Sequence, residues 1–370
     1  MAEPLKNHFG VDVPKKIAAM ISAVYPRFPT EAFITDALTG YQALELMPRG
    51  WHIAHVLRRH LPQDYAKAAE ILMASLGAKL TQTDNNGMAP FLYMPHAFFV
   101  AEYGLDHFEI SMQAQYELTQ RFTAEFSIRP YLMQHQAKTL ARLREWTKDE
   151  NASVRRLVSE GTRPRLPWAP RLREFQRDPT PVLALLECLK DDPALYVRRS
   201  VANNLNDIGK DHPDILVKTA KSWMQDADEN RRWIVRHALR SAVKNADAAA
   251  LQILGFSKSK TLLTQNAKIK PKRAAIGEAV VISFEIQNKS TKPQSALVDF
   301  CIHFVKANGK TSAKVFKLKK LVLAPGEICA LSKKISLKEM TTRKHYAGLH
   351  KVNLLINGAS SSLGEFYLRI

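Results

Sequence analysis

This 370-residue chain is poor in the features that announce common chemistries. Its three cysteines, Cys188, Cys301 and Cys329, are scattered and lack metal-ligand spacing. That disfavours a disulfide scaffold and a thiolate metal site, and suits a reducing cytosol. No apolar run approaches the roughly 18 residues that cross a bilayer. The opening MAEPLKNHFG has Glu3, Pro4 and Asn7 where a secretory leader needs basic and apolar residues. Export and membrane association are therefore not expected, and a cytoplasmic location is. There is no G-x-G-x-x-G or Walker loop, no G-x-S-x-G elbow and no Cys/His nucleophile pattern. Nucleotide-triphosphate and acyl-transfer chemistry are disfavoured, and no cofactor is expected.

Acidic residues are scarce in one region. The formal net charge is +19. Residues 258–370 hold 21 Lys+Arg against 6 Asp+Glu, a net of +15, which leaves +4 for the other 257 residues. A concentrated cationic body favours a polyanionic partner, most simply nucleic acid. No amphipathic anchor helix is visible there to favour a membrane surface.

What is present is repetition. DDPALYVRRSVANNLNDIGKDHPD (191–214) has two imperfect relatives, KDENASVRRLVSEG (148–161) and DENRRWIVRHALR (228–240). A helical unit recurring about every 40 residues is the signature of a HEAT or armadillo-type solenoid. Helical periodicity runs from Pro14 to about residue 255, with segments expected at 29–46, 50–60, 64–76, 94–104, 110–126, 130–147, 152–160, 180–190, 194–209, 212–226, 229–244 and 246–255. The loop 161–172, GTRPRLPWAPRL, has three prolines and cannot be a regular helix. Beyond residue 257 the period becomes two. Strands are expected at 280–288, 296–305, 314–323, 328–337 and 350–357, with turns at Asn308-Gly309 and Pro325-Gly326. That spacing predicts a β-sandwich, with Tyr346 placed to form a corner like that of immunoglobulin-type sandwiches. The expected organisation is an all-α HEAT-like solenoid over 1–257 and a basic all-β sandwich over 258–370.

On a helical wheel, Val197, Val201, Leu205 and Ile208 share an apolar stripe, while Arg199, Asn203, Asn206 and Asp207 fall opposite. FTAEFSIRP (122–130) echoes VSEGTRP (158–164): a glutamate at an expected helix end, then Arg-Pro. Successive rungs would project Glu125, Glu160 and then Asn203 with Asp207. Charged helix faces are usually just solvated. Here carboxylates recur at matched offsets in a basic chain, and the proline-rich loop delivers Trp168 beside one of them. His52, His55 and His60 share one helix, but no local carboxylate or cysteine completes a metal site, so no metal is expected. Met73, Met88, Met94 and Met112 read as core filler.

EPLKNHFG, VRRSVANNLNDIGKDHPD and SEGTRPRLPWAPRL resemble the HEAT-like DNA alkylation repair family. Within it they resemble the AlkC-type alkylpurine DNA glycosylases. The resemblance covers roughly residues 1–255, and the sandwich is similar to the immunoglobulin-like domain that some members carry. It implies removal of cationic N3-alkylated bases, 3-methyladenine first and 3-methylcytosine second, from double-stranded DNA without base flipping. It implies Glu125 and Glu160 as the catalytic acidic pair, Asp207 as a further acidic group, and Trp168 and Phe126 at the lesion. Arg156, Arg163, Arg199 and Arg236 would contact phosphates or orient the carboxylates. The Trp-x-x-x-Asp arrangement of the sister AlkD branch is missing at Glu125, which favours AlkC. Lys306, Lys310, Lys314 and Lys317 are the expected backbone contacts of the sandwich. No lysine stands out as a Schiff-base nucleophile, so a monofunctional, monomeric enzyme is expected. The alternative is a non-enzymatic HEAT-repeat scaffold that binds nucleic acid. Against it, carboxylates on a DNA-facing surface only repel phosphates.

Overall fold

The computed structural model describes residues 4–82, 87–340 and 343–369. Among these residues the helices are α1 (Asp12–Val24), α2 (Thr30–Leu38), α3 (Leu46–His60), α4 (Tyr65–Ala74), α5 (Met94–Tyr103), α6 (Phe108–Thr119), α7 (Ile128–Gln134) and α8 (Gln136–Trp146). They continue as α9 (Ala152–Gly161), α10 (Arg173–Arg177), α11 (Thr180–Leu189), α12 (Leu195–Ile208), α13 (Pro213–Trp223), α14 (Glu229–Ala238), α15 (Arg240–Lys244) and α16 (Ala248–Ile253). None is long and apolar enough to cross a membrane.

The repeated segments are helices α9, α12 and α14, and α12 packs against both of the others. Their shared core valines, Val154, Val197 and Val235, are all fully buried. The first arginine of the first two units is structural. Arg155 pairs with Asp192 through Nε (2.6 Å) and Nη2 (3.1 Å), and Arg198 Nη1 donates to the Asp192 carbonyl (2.8 Å). Asp192 therefore fastens the start of α12 to α9. The second arginine differs between these two units, Arg156 being partly enclosed and Arg199 exposed, and in the third unit Arg236, which follows Val235, is exposed.

Several expected helices are shorter. The segment 29–46 breaks at Gly40, which takes φ +71°. The segment 110–126 stops at Thr119. Beyond it, the Thr123 hydroxyl accepts the Glu125 N–H (3.1 Å), and the Ser127 hydroxyl donates to the Ala124 carbonyl (3.2 Å). Such side-chain bonds compete with helix continuation. Glu125 therefore lies in a turn, while Glu160 lies in the last turn of α9. The wheel also misplaced Asn206 and Asp207. Both are buried, because neighbouring helices and the chain after α9 cover more of α12 than one stripe.

The sandwich has two sheets, ordered β1-β3-β6 and β2-β8-β7-β4-β5. The strands are β1 (Leu262–Lys270), β2 (Arg273–Ala275), β3 (Ala279–Asn288), β4 (Gln294–Val305), β5 (Thr311–Leu323), β6 (Ile328–Ser336), β7 (Gly348–Ile356) and β8 (Ala359–Arg369). The five expected strands are β3 to β7. Its core includes Ile282, Phe284, Phe300, Ile302, Leu354 and Phe366. Three strands escaped the period-two reading. β1 carries a bulge between Gln265 and Lys268, β2 has three residues, and β8 opens with a serine run. Among the described residues, the Tyr346 hydroxyl forms no hydrogen bond, so the expected corner bond is not made.

The chain divides into two compact units, Met1–Leu216 with Gln225–Ala238, and Val217–Met224 with Leu239–Ile370. Within the second unit, Asn357 Nδ2 donates to the Ser257 carbonyl (2.8 Å). A Cβ on Gly358 would come within 2.7 Å of Leu251 Cδ1, so the β7–β8 turn sits tightly on α16.

Candidate active site

A cleft of about 380 Å³ opens in the helical unit. The turn after α6 supplies Glu125 and Phe126, α9 supplies Arg156 and Glu160, and the following loop supplies Arg163 and Trp168. Tyr196 of α12 completes one wall, and Phe91 and Phe122, in edge contact at 5.3 Å, form another.

The two glutamates are held differently. Glu160 is buried, and both of its oxygens are occupied. Oε1 accepts from Arg163 Nη1 (2.6 Å) and lies 3.5 Å from Arg156 Nη2, while Oε2 accepts from the Ser200 hydroxyl (2.6 Å). Ser200 in turn accepts from Ser159 (2.7 Å). Burial alone would raise the Glu160 carboxyl, but Arg156 and Arg163 outweigh it and hold the group below its ordinary range. Glu125 uses Oε2 only, which meets Arg156 Nη1 (2.5 Å) and the Thr123 hydroxyl (3.2 Å). Its Oε1 has no hydrogen-bond partner among the described residues. One carboxylate is locked, and the other keeps an acceptor beside open space.

Arg156 bridges the pair. Its guanidinium also lies 5.3 Å from the centroid of the Tyr196 ring. Burial works against its charge, but Glu125 and Glu160 more than compensate and push its proton affinity above the ordinary arginine range. Arg163 is braced from behind. Its Nε and Nη2 both reach Asp207 Oδ2 at 2.8 Å, and the other oxygen of Asp207 takes Lys210 Nζ (2.7 Å). Asp207 is thus enclosed in an ion-pair chain and does not line the cleft.

The loop 162–170 is sewn to α12 and to the turn after it by three residues near its start. The Thr162 hydroxyl accepts from Asn204 Nδ2 (3.0 Å), Arg163 pairs with Asp207, and Arg165 Nε donates to Asp211 Oδ2 (2.9 Å). Asn204 and Asp207, three residues apart, share one side of α12, and Asp211 lies in the turn just beyond its end. On the other side, Gly161 lets the end of α9 approach α7: a Cβ there would sit 2.6 Å from Ile128 Cγ2. Trp168, at the loop tip, is 63% exposed and takes φ +61°, a backbone region that residues with side chains seldom occupy.

The structure therefore brings together Glu125, Phe126, Arg156, Glu160, Arg163 and Trp168. Asp207 stands behind them. Arg199 and Arg236 do not line the cleft, and Arg236 Nη2 pairs with Glu229 (2.5 Å). Lys306 and Lys310 flank the β4–β5 turn, and Lys314 and Lys317 lie on the edge strand β5. The histidines of α3 have other partners. His52 Nε2 lies 3.1 Å from the Ala37 carbonyl, His60 Nε2 lies 2.9 Å from Asp36, and His55 packs near Trp51 and Tyr103. Among the described residues, no group of three or more His, Cys, Asp or Glu is placed to hold a metal.

Four residues escaped sequence reading: Thr123, Arg129, Tyr196 and Ser200. Only Arg129 left a signal, as the first member of the repeated Arg-Pro pair. It does not repeat the role of Arg163: its guanidinium contacts carbonyls, while that of Arg163 contacts carboxylates.

Known proteins place this geometry. Residues 122–245 match the family model for DNA alkylation repair enzymes, and residues 263–370 match the C-terminal Ig-like domain of the uncharacterised protein YhaZ. The YhaZ protein of Bacillus subtilis (strain 168) is 37% identical over 355 residues, 96% of each chain. The Pseudomonas fluorescens alkylpurine DNA glycosylase AlkC, solved bound to DNA containing an abasic site analog, superposes with a TM-score of 0.91, at 38% identity and with all of both chains covered. The chain belongs to the DNA alkylation repair enzyme family, in its AlkC-type branch with a C-terminal immunoglobulin-like domain.

Proposed function

We propose that this chain is a monofunctional DNA glycosylase that hydrolyses the N-glycosidic bond of cationic N3-alkylated bases in double-stranded DNA, 3-methyladenine first and 3-methylcytosine second. The observation that carries this reading is the free Oε1 of Glu125, in an open cleft beside a second, locked carboxylate and an exposed tryptophan. The full-length likeness to the alkylpurine glycosylase supports it.

An N3-alkylated base already carries a positive charge. As the C1′–N bond breaks, its electron pair neutralises the base, and the sugar becomes an oxocarbenium-like cation. Glu125 Oε1 stabilises that cation and receives the proton of the water that forms the new C1′–O bond. Glu160 adds fixed negative charge, Arg156 and Arg163 hold it ionised, and Arg156 also holds Glu125 in place. The face of Trp168 offers the cationic nucleotide a contact of about 0.5–2 kcal/mol. No general acid for a neutral leaving base is needed. The cleft is open, which suits a lesion read without flipping; flipping enzymes use a snug pocket. No lysine lines the cleft among the described residues, which supports hydrolysis without a Schiff base. The lysines of the β4–β5 hairpin contact backbone phosphates without reading sequence.

The test is incubation with methylated DNA, followed by chromatography of the released bases. The expected result is 3-methyladenine release, with negligible uracil or 1,N6-ethenoadenine release from matching substrates. Efficient uracil release, or no release of methylated bases, would overturn the reading.

A further inference from the structure

We infer that Arg129 is a positioning residue: by gripping both ends of the proline-rich loop, it holds Trp168 in the cleft. What Trp168 contacts there rests on the glycosylase reading; the grip itself does not.

Arg129 is in the first turn of α7 and is 1% exposed. Its Nη1 donates to the carbonyls of Gly161 (3.0 Å) and Arg163 (2.9 Å), where the loop begins. Its Nε donates to the carbonyl of Pro170 (3.0 Å), where the loop ends, and Nη2 donates to the same oxygen. No carboxylate pairs with it directly. Burial without that partner lowers its pKa from the ordinary arginine range to about 10, so the group remains cationic at neutral pH. A buried guanidinium held by carbonyls alone is a costly way to gain stability. It is an effective way to fix geometry, because a planar fork sets several acceptors at once.

The loop needs such fixing. Pro164, Pro167 and Pro170 have no N–H to donate. Trp168 takes a rarely adopted backbone conformation, which persists only when its surroundings impose it. The indole has no hydrogen-bond partner among the described residues, so its placement depends on the backbone. The ties to α12 and the turn after it end at Arg165. Beyond Trp168 the remaining tethers are the Arg129–Pro170 bonds and the Leu172 N–H to the Pro164 carbonyl (3.2 Å).

The experiment uses the full chain with Arg129→Lys, which keeps charge but loses the fork, and Arg129→Gln. Emission from Trp168 is isolated as the difference from the same protein carrying Trp168→Phe, since the chain has five tryptophans. Acrylamide quenching and anisotropy of that component report loop order without reference to activity. Cooperative thermal unfolding and affinity for DNA should persist, while Trp168 becomes more quenchable and less ordered. Single-turnover excision should fall by about 10-fold to 10²-fold, the scale expected of small misplacements. In a Trp168→Ala background, Arg129→Lys should cost less than about threefold more, because both changes remove one device. If the Trp168 signal is unchanged in folded variants, or the two losses multiply in full, the inference is overturned. Unfolding of both variants would also overturn it, since Arg129 would then serve the core of the unit. If the unaltered protein excises nothing, the glycosylase reading fails alone, and the Trp168 signal still decides the role of Arg129.

Discussion

The two parts of this molecule use positive charge in opposite ways. Residues 1–257 carry 21 arginines and 12 lysines, whereas residues 258–370 carry 3 arginines and 18 lysines. In the helical part many of the cations are partnered: Arg155, Arg156, Arg163, Arg165 and Arg231 all meet carboxylates. In the sandwich, no lysine forms an ion pair among the described residues. Arginine offers a rigid fork that fixes the direction of a partner, and lysine offers a hydrated point charge on a flexible stem. One region therefore builds geometry, and the other builds a field. Specific chemistry is expected of the first, and salt-sensitive attraction to a polyanion of the second.

The largest expected effect tests the geometry. Glu125→Gln should lower excision by about 10²-fold or more, the usual loss for one electrostatic group at a transition state, about 3 kcal/mol. Stability should fall as well, though by less than for Glu160→Gln, because Arg156 loses its nearer counter-charge but keeps Glu160. Glu160→Gln should lose as much activity and also destabilise the fold by about 3 kcal/mol, since Arg156 and Arg163 would be left buried with too little counter-charge. Affinity for DNA should be unchanged or tighter in both. Single-turnover excision, chemical denaturation and fluorescence titration separate these outcomes, and two variants with normal excision would refute the acidic pair.

Arg156→Met sharpens the same point through pH. Glu160 is held below its ordinary range, so it stabilises the fold fully above the usual carboxyl range, and that contribution is lost as pH falls below it. Without Arg156 the two carboxylates face each other, and the acid limb of both stability and excision should move to higher pH. An unshifted pH–rate profile would mean that Arg156 does not hold the charge of Glu160.

His96 gives a prediction about the same helical unit, away from the cleft. It is fully buried without a hydrogen bond, and burial lowers it from 6.5 to about 4. The unfolded chain takes up a proton near pH 6.5, while the folded chain resists until about pH 4. This group's share of stability, about 3 kcal/mol, is complete above pH 6.5 and drains away toward pH 4. His96→Phe should flatten that slope in urea titrations across the interval, with neutral-pH excision intact.

The smallest effect tests the field. Replacing Lys314, Lys317, Lys319 and Lys320 with Gln should weaken DNA binding several-fold. The log–log salt slope should become shallower by about 0.9 for each phosphate that is no longer neutralised. Excision at saturating DNA should not change. Substitution is preferable to deletion, because removing 258–370 would strip partners from Leu251 and Phe256, which pack within the same unit. An unchanged salt slope would assign the lysines to protecting a sheet edge.

These contrasts also explain what the sequence could and could not reveal. The change of period from helical to two near residue 257 made the two architectures legible. So did the Val-Arg-Arg shared by the first two units, because buried valines and the bridging Asp192 impose the same pattern on both. The carboxylates were findable because they echo each other 35 residues apart, as Glu125 and Glu160. Their inequality was not findable: it depends on Ser200, one repeat away, and on a Thr123 turn that ends a helix early. Arg129 was hidden for a similar reason. Its partners are backbone carbonyls, which look the same in any sequence.

The bonds that join α9 and its loop to α12 and the turn after it connect residues of similar separation: Ser159–Ser200 at 41, Thr162–Asn204 at 42, Arg163–Asp207 at 44 and Arg165–Asp211 at 46. Each spans about one repeat, so the locked carboxylate is assembled at a single junction between neighbouring units. In a quasi-one-dimensional array, such a junction can open without the rest of the array. Amide exchange along α12 should then follow the integrity of this junction, and the free energy of its opening sets how often the enzyme lacks a working site while still folded.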